Sequence, residues 1–550
     1  MASPRFPDYE PTVPVFLERL VMRHGERPLI VLGERRLSYA EAERESARLA
    51  RGLLAHGLGK GSRVAVLAPN GPDWVVWWLA AARIGAVVVP VNTFYKAREL
   101  GYVLRHADVH TLLTSARFLS NDYLERLERC APELAAHGPA PLRLRSLPYL
   151  REVRVWESEG RERAWTSGGA SALEALADAT PGVDDAFLAE VEREVRPADP
   201  MVVIYSSGST ADPKGAIHTH GSVLRHAHNL NDFRDLTADD RIYSPMPFFW
   251  VGGFCFTLVS AMHIGARLYC QDAFDPGKTL DLIEQERITM VAGWPHFGKA
   301  MSEHPSFAKR DLSSIRGGNL YDLLPESARP QDPELRSNSL GMTETCGPHT
   351  FERMDFELPE KLRGSFGRSV PGMTHKVVDP ETGRTLGPGE FGEICARGYA
   401  LMQGLYKLER EDAFDADGFY HTGDAGFFDA EGFLFFKGRL GEMIKTGGAN
   451  VAPREIELVL ATMPEILAAH VVGIPHKERG ENVALAVVLR EGAKLDRDTL
   501  HARLKQELSA YKLPRHTFFV TSAEIPMTDS GKLDRRRLRD ALAKRVAGEG

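Results

Sequence analysis

Between Leu29 and Thr114 short apolar runs take turns with amphipathic stretches, and this rhythm restricts the fold more than any other feature of the chain. Arg63 to Leu67, Ala86 to Pro90 and His110 to Thr114 read as strands, and Pro72 to Ile84 and Ala97 to His106 as helices. Strands separated by helices of that length run parallel under a helical cover, so the spacing predicts a layered α/β fold. Val13 to Arg23 reads as a further helix, and Leu29 to Leu32 and Arg36 to Tyr39 flank Gly33-Glu34 as a hairpin. The charged stretch from Ala116 to Asp199 has a weaker pattern and reads as a peripheral elaboration before the rhythm resumes at Met201.

From Gly364 to Arg439 short strands are separated by Gly, Pro and Asp, which predicts a β-rich subdomain over about 364–439. Beyond it lies a compact α/β unit: a helix from Pro453, strands over Ala469 to Ile474 and Ala484 to Leu489, and a helix over Asp496 to Leu508. The expected domains are therefore 1–439 and 440–550, divided near Leu440-Gly441. A chain of 550 residues, 43% of them hydrophobic, has the material for more than one core.

A formal net charge of −7 gives no overall attraction to nucleic acid or anionic lipid. Five scattered cysteines without a C-x-x-C pair suggest neither a disulfide framework nor a zinc site, and fit a reducing cytoplasm. The N-terminus lacks the apolar core of a signal peptide. The most apolar stretches, Trp74 to Val91 and Phe248 to Ala266, are interrupted by Arg, Gly, Pro, Ser and His. They read as buried helix and strand rather than as a membrane span.

After the strand Met201 to Ile204 comes Tyr205-Ser206-Ser207-Gly208-Ser209-Thr210-Ala211-Asp212-Pro213-Lys214-Gly215. Its hydroxyls, its glycines, which let backbone N–H groups approach a ligand, and its lysine are suited to a polyphosphate, although the G-x-x-x-x-G-K-[ST] pattern is absent. Four more segments are too polar and glycine-rich for a core. Leu340-Gly341-Met342-Thr343-Glu344-Thr345 sets a hydroxyl beside a carboxylate, suited to a phosphate oxygen and its Mg2+ ion. Tyr420 to Asp424 places a carboxylate after a glycine turn, Gly438 to Asn450 joins basic groups to a flexible glycine pair, and Pro526 to Lys532 carries a lysine at a turn.

In this order the segments resemble the adenylate-forming superfamily of acyl-CoA synthetases, luciferases and peptide-synthetase adenylation domains, over nearly the whole chain from Leu37 to Lys532. The resemblance implies a large N-terminal domain of two α/β sheets plus a β-barrel, and a small mobile α+β C-terminal domain. It implies ATP-dependent conversion of a carboxylic acid, fatty or aryl, to an acyl-adenylate, then transfer to CoA. Ser206, Ser207, Gly208, Ser209 and Thr210 would hold the phosphates with Lys214 nearby; Thr343 would contact phosphate, and Glu344 the metal. Gly317, Gly318 and Asn338 match adenine-pocket segments, Asp424 the ribose site with Arg439 beside it, and Lys532 the lysine that bridges carboxylate and α-phosphate.

Gly447 and Gly448 would line the thiol tunnel after the small domain rotates, with Gly441 at the hinge, where the family usually has Asp or Lys. Phe249, Trp250, Val251, Gly252, Trp294, Phe297, Leu340 and Gly341 fall in segments that face the acid. Ala211, Leu340 and Trp250 depart from the glycine, aromatic and histidine common at those places. No charge marks a substrate amino group, which disfavours amino acids. A carrier-protein thiol or an amine stays open as the acceptor, as do nitrite as the substrate and a homodimer as the assembly.

Overall fold

A computed structural model describes residues 3–156, 160–206, 212–440, 444–451, 453–527 and 533–548, except the side chains at 334, 437–439, 450 and 454. The contacts divide the chain into two compact units. The first comprises Met1–Thr93, Val103–Tyr205 and Gly215–Gly438, and the second Phe94–Tyr102, Ser206–Lys214 and Arg439–Gly550.

In the first unit the strand Arg63–Leu67 lies between Val87–Pro90 and Thr111–Ser115, parallel to both, with Val64 opposite Val88 and Thr111. All three are buried along almost their whole length, which is why they read as unbroken apolar runs instead of alternating. The sheet continues through Pro200–Ser206 on one side, and through Glu152–Trp156 and Thr166–Gly168 on the other. The stretch read as peripheral thus adds two parallel strands to the sheet, because Val153 and Val155 give it an apolar face despite its charge.

A second sheet runs Gly317–Gly318, Met290–Val291, Arg241–Tyr243, Arg267–Cys270, then the hairpin Pro28–Leu32 and Arg35–Ser38. Its strands are parallel apart from that hairpin. Val64 and Val88 of one sheet and Ile30 and Leu268 of the other belong to a single apolar core with the helix Pro72–Arg83. Phe254 meets Trp74 and Trp78 edge-on, at ring-centroid distances of 5.8 and 4.9 Å.

The stretch from Phe248 to Ala266, expected as helix and strand, is helical from Val251 to Ile264, and the strand starts only at Arg267. Its middle, Phe254–Val259, widens into a π-helical turn, and the Thr257 hydroxyl donates to the Gly252 carbonyl at 2.9 Å. Packing on the two tryptophans outweighs the poor helix propensity of Gly252-Gly253.

Besides the short ribbon of Arg117–Phe118 and Asn121–Asp122, two small sheets complete this unit among the described residues. One orders Leu340–Met342, Gly347–Phe351 and Arg368–Ser369; the other orders Met373–Val378, Gly392–Gly398, Tyr420–Phe428 and Leu434–Arg439.

The second unit is built on the antiparallel pair Ile466–His476 and Gly480–Leu489, with His516–Phe519 parallel to the latter. Successive residues serve opposite faces. Val471, Leu485 and Val487 pack with Ile456, Leu460, Leu500 and Leu504, whereas Val472, Ala484 and Ala486 pack with Leu538 and Leu542. Helices therefore cover both sides. A fully buried lysine, Lys512, sits in the same unit with its Nζ 2.5 Å from Glu99 and 2.8 Å from Glu455. Ser509 donates to Glu99 at 3.2 Å, and Arg98 lies 3.5 Å from Glu455 and 3.1 Å from Asp212.

Candidate active site

The parallel strands of the second sheet deliver a group of the predicted residues to their carboxyl ends, where open α/β sheets generally bind ligands. Arg241–Tyr243 leads to Phe249 and Trp250, and Met290–Val291 to Trp294 and Phe297. The rings form one aromatic group: Phe249 to Trp250 is 5.2 Å, Trp250 to Trp294 is 5.6 Å, and Trp294 stacks on Phe297 at 6.1 Å. Val251 and Gly252, half-buried, open the helix just beyond.

At the same edge Gly317 and Gly318 pair with Met290 and Val291 as a two-residue strand. Gly318 has φ +124°, and a Cβ there would sit 1.9 Å from the Val291 carbonyl oxygen, so only glycine permits this pairing. The Asn319 amide then clamps the neighbouring strand end, accepting from Gly293 N–H at 3.0 Å and donating to Gly293 carbonyl at 2.8 Å. Asn319 was not among the predicted site residues, although its place beside the glycine pair is the signal that marks it.

Leu340 and Gly341 begin a hairpin with Gly347–Phe351. The Leu340 side chain is buried with Ile394 and Leu434, so only the backbone at Leu340 is left to face a ligand. Gly341 is exposed, and a Cβ there would meet the Gly347 backbone at 2.7 Å. Asn338, also exposed, donates its N–H to the Ser365 carbonyl at 3.1 Å.

Thr343-Glu344-Thr345 forms one 3-10 turn. His218 Nε2 donates to the Thr343 carbonyl at 2.7 Å, and the Met402 N–H donates to the Glu344 carbonyl at 2.8 Å, which fixes the turn from two sides. Burial holds the His218 imidazole neutral, with its pKa lowered to about 4. A histidine inside the apolar run Ala216-Ile217-His218 is the sequence signal for this positioning role. Glu344 is 8% exposed and Thr343 half-buried. A carboxylate and a hydroxyl are hard oxygen donors, a set that suits magnesium.

Asp424 does not follow a tight turn as expected. It lies within the strand Tyr420–Phe428, in a bulge: Glu393 faces Ala425, yet Cys395 faces His421, so extra residues are inserted opposite Ile394. Gly423 takes φ +70° there. The Thr422 hydroxyl donates to the Ile394 carbonyl at 2.6 Å and accepts the Asp424 N–H at 3.1 Å, and Glu393 accepts the Gly423 N–H at 3.0 Å. Asp424 is 2% exposed.

In the second unit Gly447 and Gly448, at φ +57° and +81°, are the two-residue tip of a hairpin between Ile444–Thr446 and Ala449–Val451. The pair expected to be flexible is thus a defined turn, and positive φ at both places is what selects glycine. Gly447 N–H donates to the Arg479 carbonyl at 2.9 Å. Ser206 ends one strand and Lys214 begins the next; both are half-buried. Ser207, Gly208, Ser209, Thr210, Gly441 and Lys532, and the side chain of Arg439, lie outside the described residues. Among the described residues no helix is long and apolar enough to cross a membrane.

The family described as AMP-binding enzyme matches residues 17–406, and its C-terminal domain matches residues 455–532. Among curated proteins, the chain is 32% identical to an indoleacetate–CoA ligase of Aromatoleum aromaticum, covering 93% of this chain and 94% of that one. It is 30% identical to the mitochondrial medium-chain acyl-CoA ligase of Bos taurus, covering 93% and 84%. Among solved structures, the amide bond synthetase McbA from Marinactinospora thermotolerans superimposes with a TM-score of 0.76 at 25% identity, covering 96% and 99%.

Proposed function

The chain belongs to the AMP-binding enzyme family, and from that premise we propose which acid it activates and how its residues divide the work. It is an AMP-forming acid–thiol ligase that uses ATP to make an acyl-adenylate and passes the acyl group to CoA. We assign as substrate a carboxylic acid with a flat aryl or medium-length acyl group. The observation that carries this assignment is the aromatic group of Trp250, Trp294 and Phe297 at the strand ends, a surface that favours an apolar body.

In this reading the substrate carboxylate attacks the α-phosphate, and positioned cations and donors neutralise the charge that develops on its oxygens. Lys532 spans carboxylate and α-phosphate. Ser206 to Thr210 and Lys214 hold the leaving pyrophosphate, Gly317, Gly318 and Asn338 border the adenine, and Asp424 takes the ribose hydroxyls with Arg439 beside it. Thr343 and Glu344 would hold magnesium, which neutralises polyphosphate charge when bound. His218 and Met402 serve by holding that turn in place. Val251, Gly252 and Gly341 complete the acid pocket.

The small domain, 440–550, pivots at Gly441 and brings the Gly447-Gly448 turn to the thiol. The second reading, transfer to an amine in place of CoA, is favoured by the fit to an amide bond synthetase.

Lys532→Ala is expected to slow acid-dependent pyrophosphate release by about 10²–10³-fold, the usual loss when one charge-stabilising donor is removed. The same variant is expected to leave thioester formation from supplied acyl-adenylate intact. Unchanged pyrophosphate release would remove Lys532 from the adenylation step. Mass spectrometry of products with and without CoA, across aryl acids, acyl acids, amines and nitrite, separates the two readings. An acyl-CoA formed only with CoA supports the first, and an amide formed without it supports the second.

A further inference from the structure

One row of the four-stranded sheet gathers donors of three chemical kinds, of which Glu393 also braces the bulge at Asp424 through one of its oxygens. Cys395 faces Lys376 on one neighbouring strand and His421 on the other, and Glu393 lies two residues along on the same face. One ligand atom from each of Glu393, Cys395 and His421 falls within 4.8 Å of the other two. We propose that Glu393, Cys395 and His421 form a binding site for a borderline divalent transition metal of the zinc class, separate from the magnesium position at Glu344.

The donor chemistry supports that class. Thiolate, imidazole and carboxylate are the three ligand types zinc takes, and three protein ligands leave a fourth place for water. Magnesium and calcium, which take oxygen ligands, gain nothing from the sulfur. His421 Nδ1 already faces Glu393 Oε2 at 2.8 Å, while its Nε2 points to Asp415 at 3.7 Å. With Nδ1 on the metal, Asp415 is the outer carboxylate that orients the ring. Asp415 is itself fixed by Lys376 at 2.7 Å and by the N–H groups of Asp417 and Phe419 at 3.0 and 2.8 Å.

The charges are compatible. Once a metal displaces the thiol proton, Cys395, Glu393 and Asp415 set against Lys376 leave about two negative charges, which a divalent ion meets. The nearby carboxylate of Asp417, 3.7 Å from Lys376 and exposed, adds to the attraction. The Cys395 thiol proton leaves to solvent as the metal binds, and His421, with 40% of its side chain exposed, gives the ion a way in. Sequence spacing suggests no such site, because Cys395 and His421 meet only through strand register.

The test uses the full chain, stripped with chelator and titrated with Co2+ alone. One equivalent is expected to bind with a thiolate-to-cobalt charge-transfer absorption that Zn2+ displaces and excess Mg2+ does not. Cys395→Ser keeps the shape of the row and is expected to abolish the absorption. His421→Asn is expected to weaken binding at least about 100-fold, since even an outer-shell partner is worth about 10- to 100-fold. Near-ultraviolet circular dichroism establishes that both variants are folded. The absence of charge transfer, or its persistence in Cys395→Ser through another of the cysteines, would overturn the proposal.

Discussion

Two sets of buried ionisable groups, one in each unit, meet burial in opposite ways. The first carries histidines that burial keeps neutral: the pKa of His218 is lowered to about 4, and those of His220, His226 and His375 to about 3. The second buries an ion cluster, one ammonium between two carboxylates at Lys512, Glu99 and Glu455. A neutral buried imidazole needs only hydrogen bonds, whereas a buried ion needs its counter-ion, and losing one partner leaves the others stranded. The two sets therefore differ in what a single substitution, or a change of pH, does to them.

Removing the cation breaks that contrast most severely. Lys512→Met takes away the buried ammonium between Glu99 and Glu455, leaving them only Ser509 and the more distant Arg98, and is expected to destabilise the second unit by about 3–5 kcal/mol. Denaturant unfolding, followed by segment-resolved hydrogen exchange, measures this. Adding Glu99→Gln and Glu455→Gln to Lys512→Met should restore much of the loss. A neutral result for Lys512→Met alone would mean that the cluster does not hold the unit together.

Glycines sharpen the comparison at a smaller scale. In the first unit a Cβ at Gly318 runs into backbone, 1.9 Å from the Val291 carbonyl oxygen. In the second, a Cβ at Gly447 meets only the tip of the Arg479 side chain, at 3.2 Å. Gly318→Ala is expected to cost about 1–3 kcal/mol and to raise the KM for ATP, whereas Gly447→Asn, tolerated at positive φ, should stay within about 1 kcal/mol. Thermal melts and initial rates decide this, and equal losses would contradict it.

The smallest effect is the opposite pH trend. The lowered histidines take up protons in the unfolded chain first, so the first unit loses stability as pH falls from about 6.5 towards 4. Burial raises Glu455 to about 7, against the pull of Lys512. There the folded state holds the extra proton, so this group's contribution is full below about 4.5 and is lost as pH rises to about 7. Hydrogen exchange across this range, corrected for intrinsic rates, should show the units diverging, and Glu455→Gln should flatten only the second. Parallel pH profiles would refute the contrast.

Much of this was legible in the sequence, and what was not has a common cause. The strands Arg63–Leu67 and Thr111–Ser115 and the helix Pro453–Ala461 follow from local periodicity. The bulge at Asp424 does not, because it is defined only by how Tyr420–Phe428 pairs with Gly392–Gly398. Nothing in the local sequence marks Lys512 as buried, since its partner Glu99 is 413 residues away in sequence. That Val251–Ile264 is helical throughout, with no strand before Arg267, was hidden because two glycines argue against helix locally, and Trp74 and Trp78, which support it, are distant in the chain. The motif segments were visible as polar, glycine-rich interruptions. The positioning residues carry weaker signals, a histidine in an apolar run for His218 and a place beside a glycine pair for Asn319, and Glu393 carries none, because their work is to hold other backbones.

The central claim is that this chain joins AMP to a carboxylic acid. Single-turnover reactions with α-labelled ATP, without CoA, over a panel of aryl and medium-chain acids test it most directly. The account predicts acid-dependent pyrophosphate and a labelled acyl-adenylate that CoA then converts to AMP and acyl-CoA. Release of ADP and phosphate, or pyrophosphate that does not depend on the acid, would contradict it.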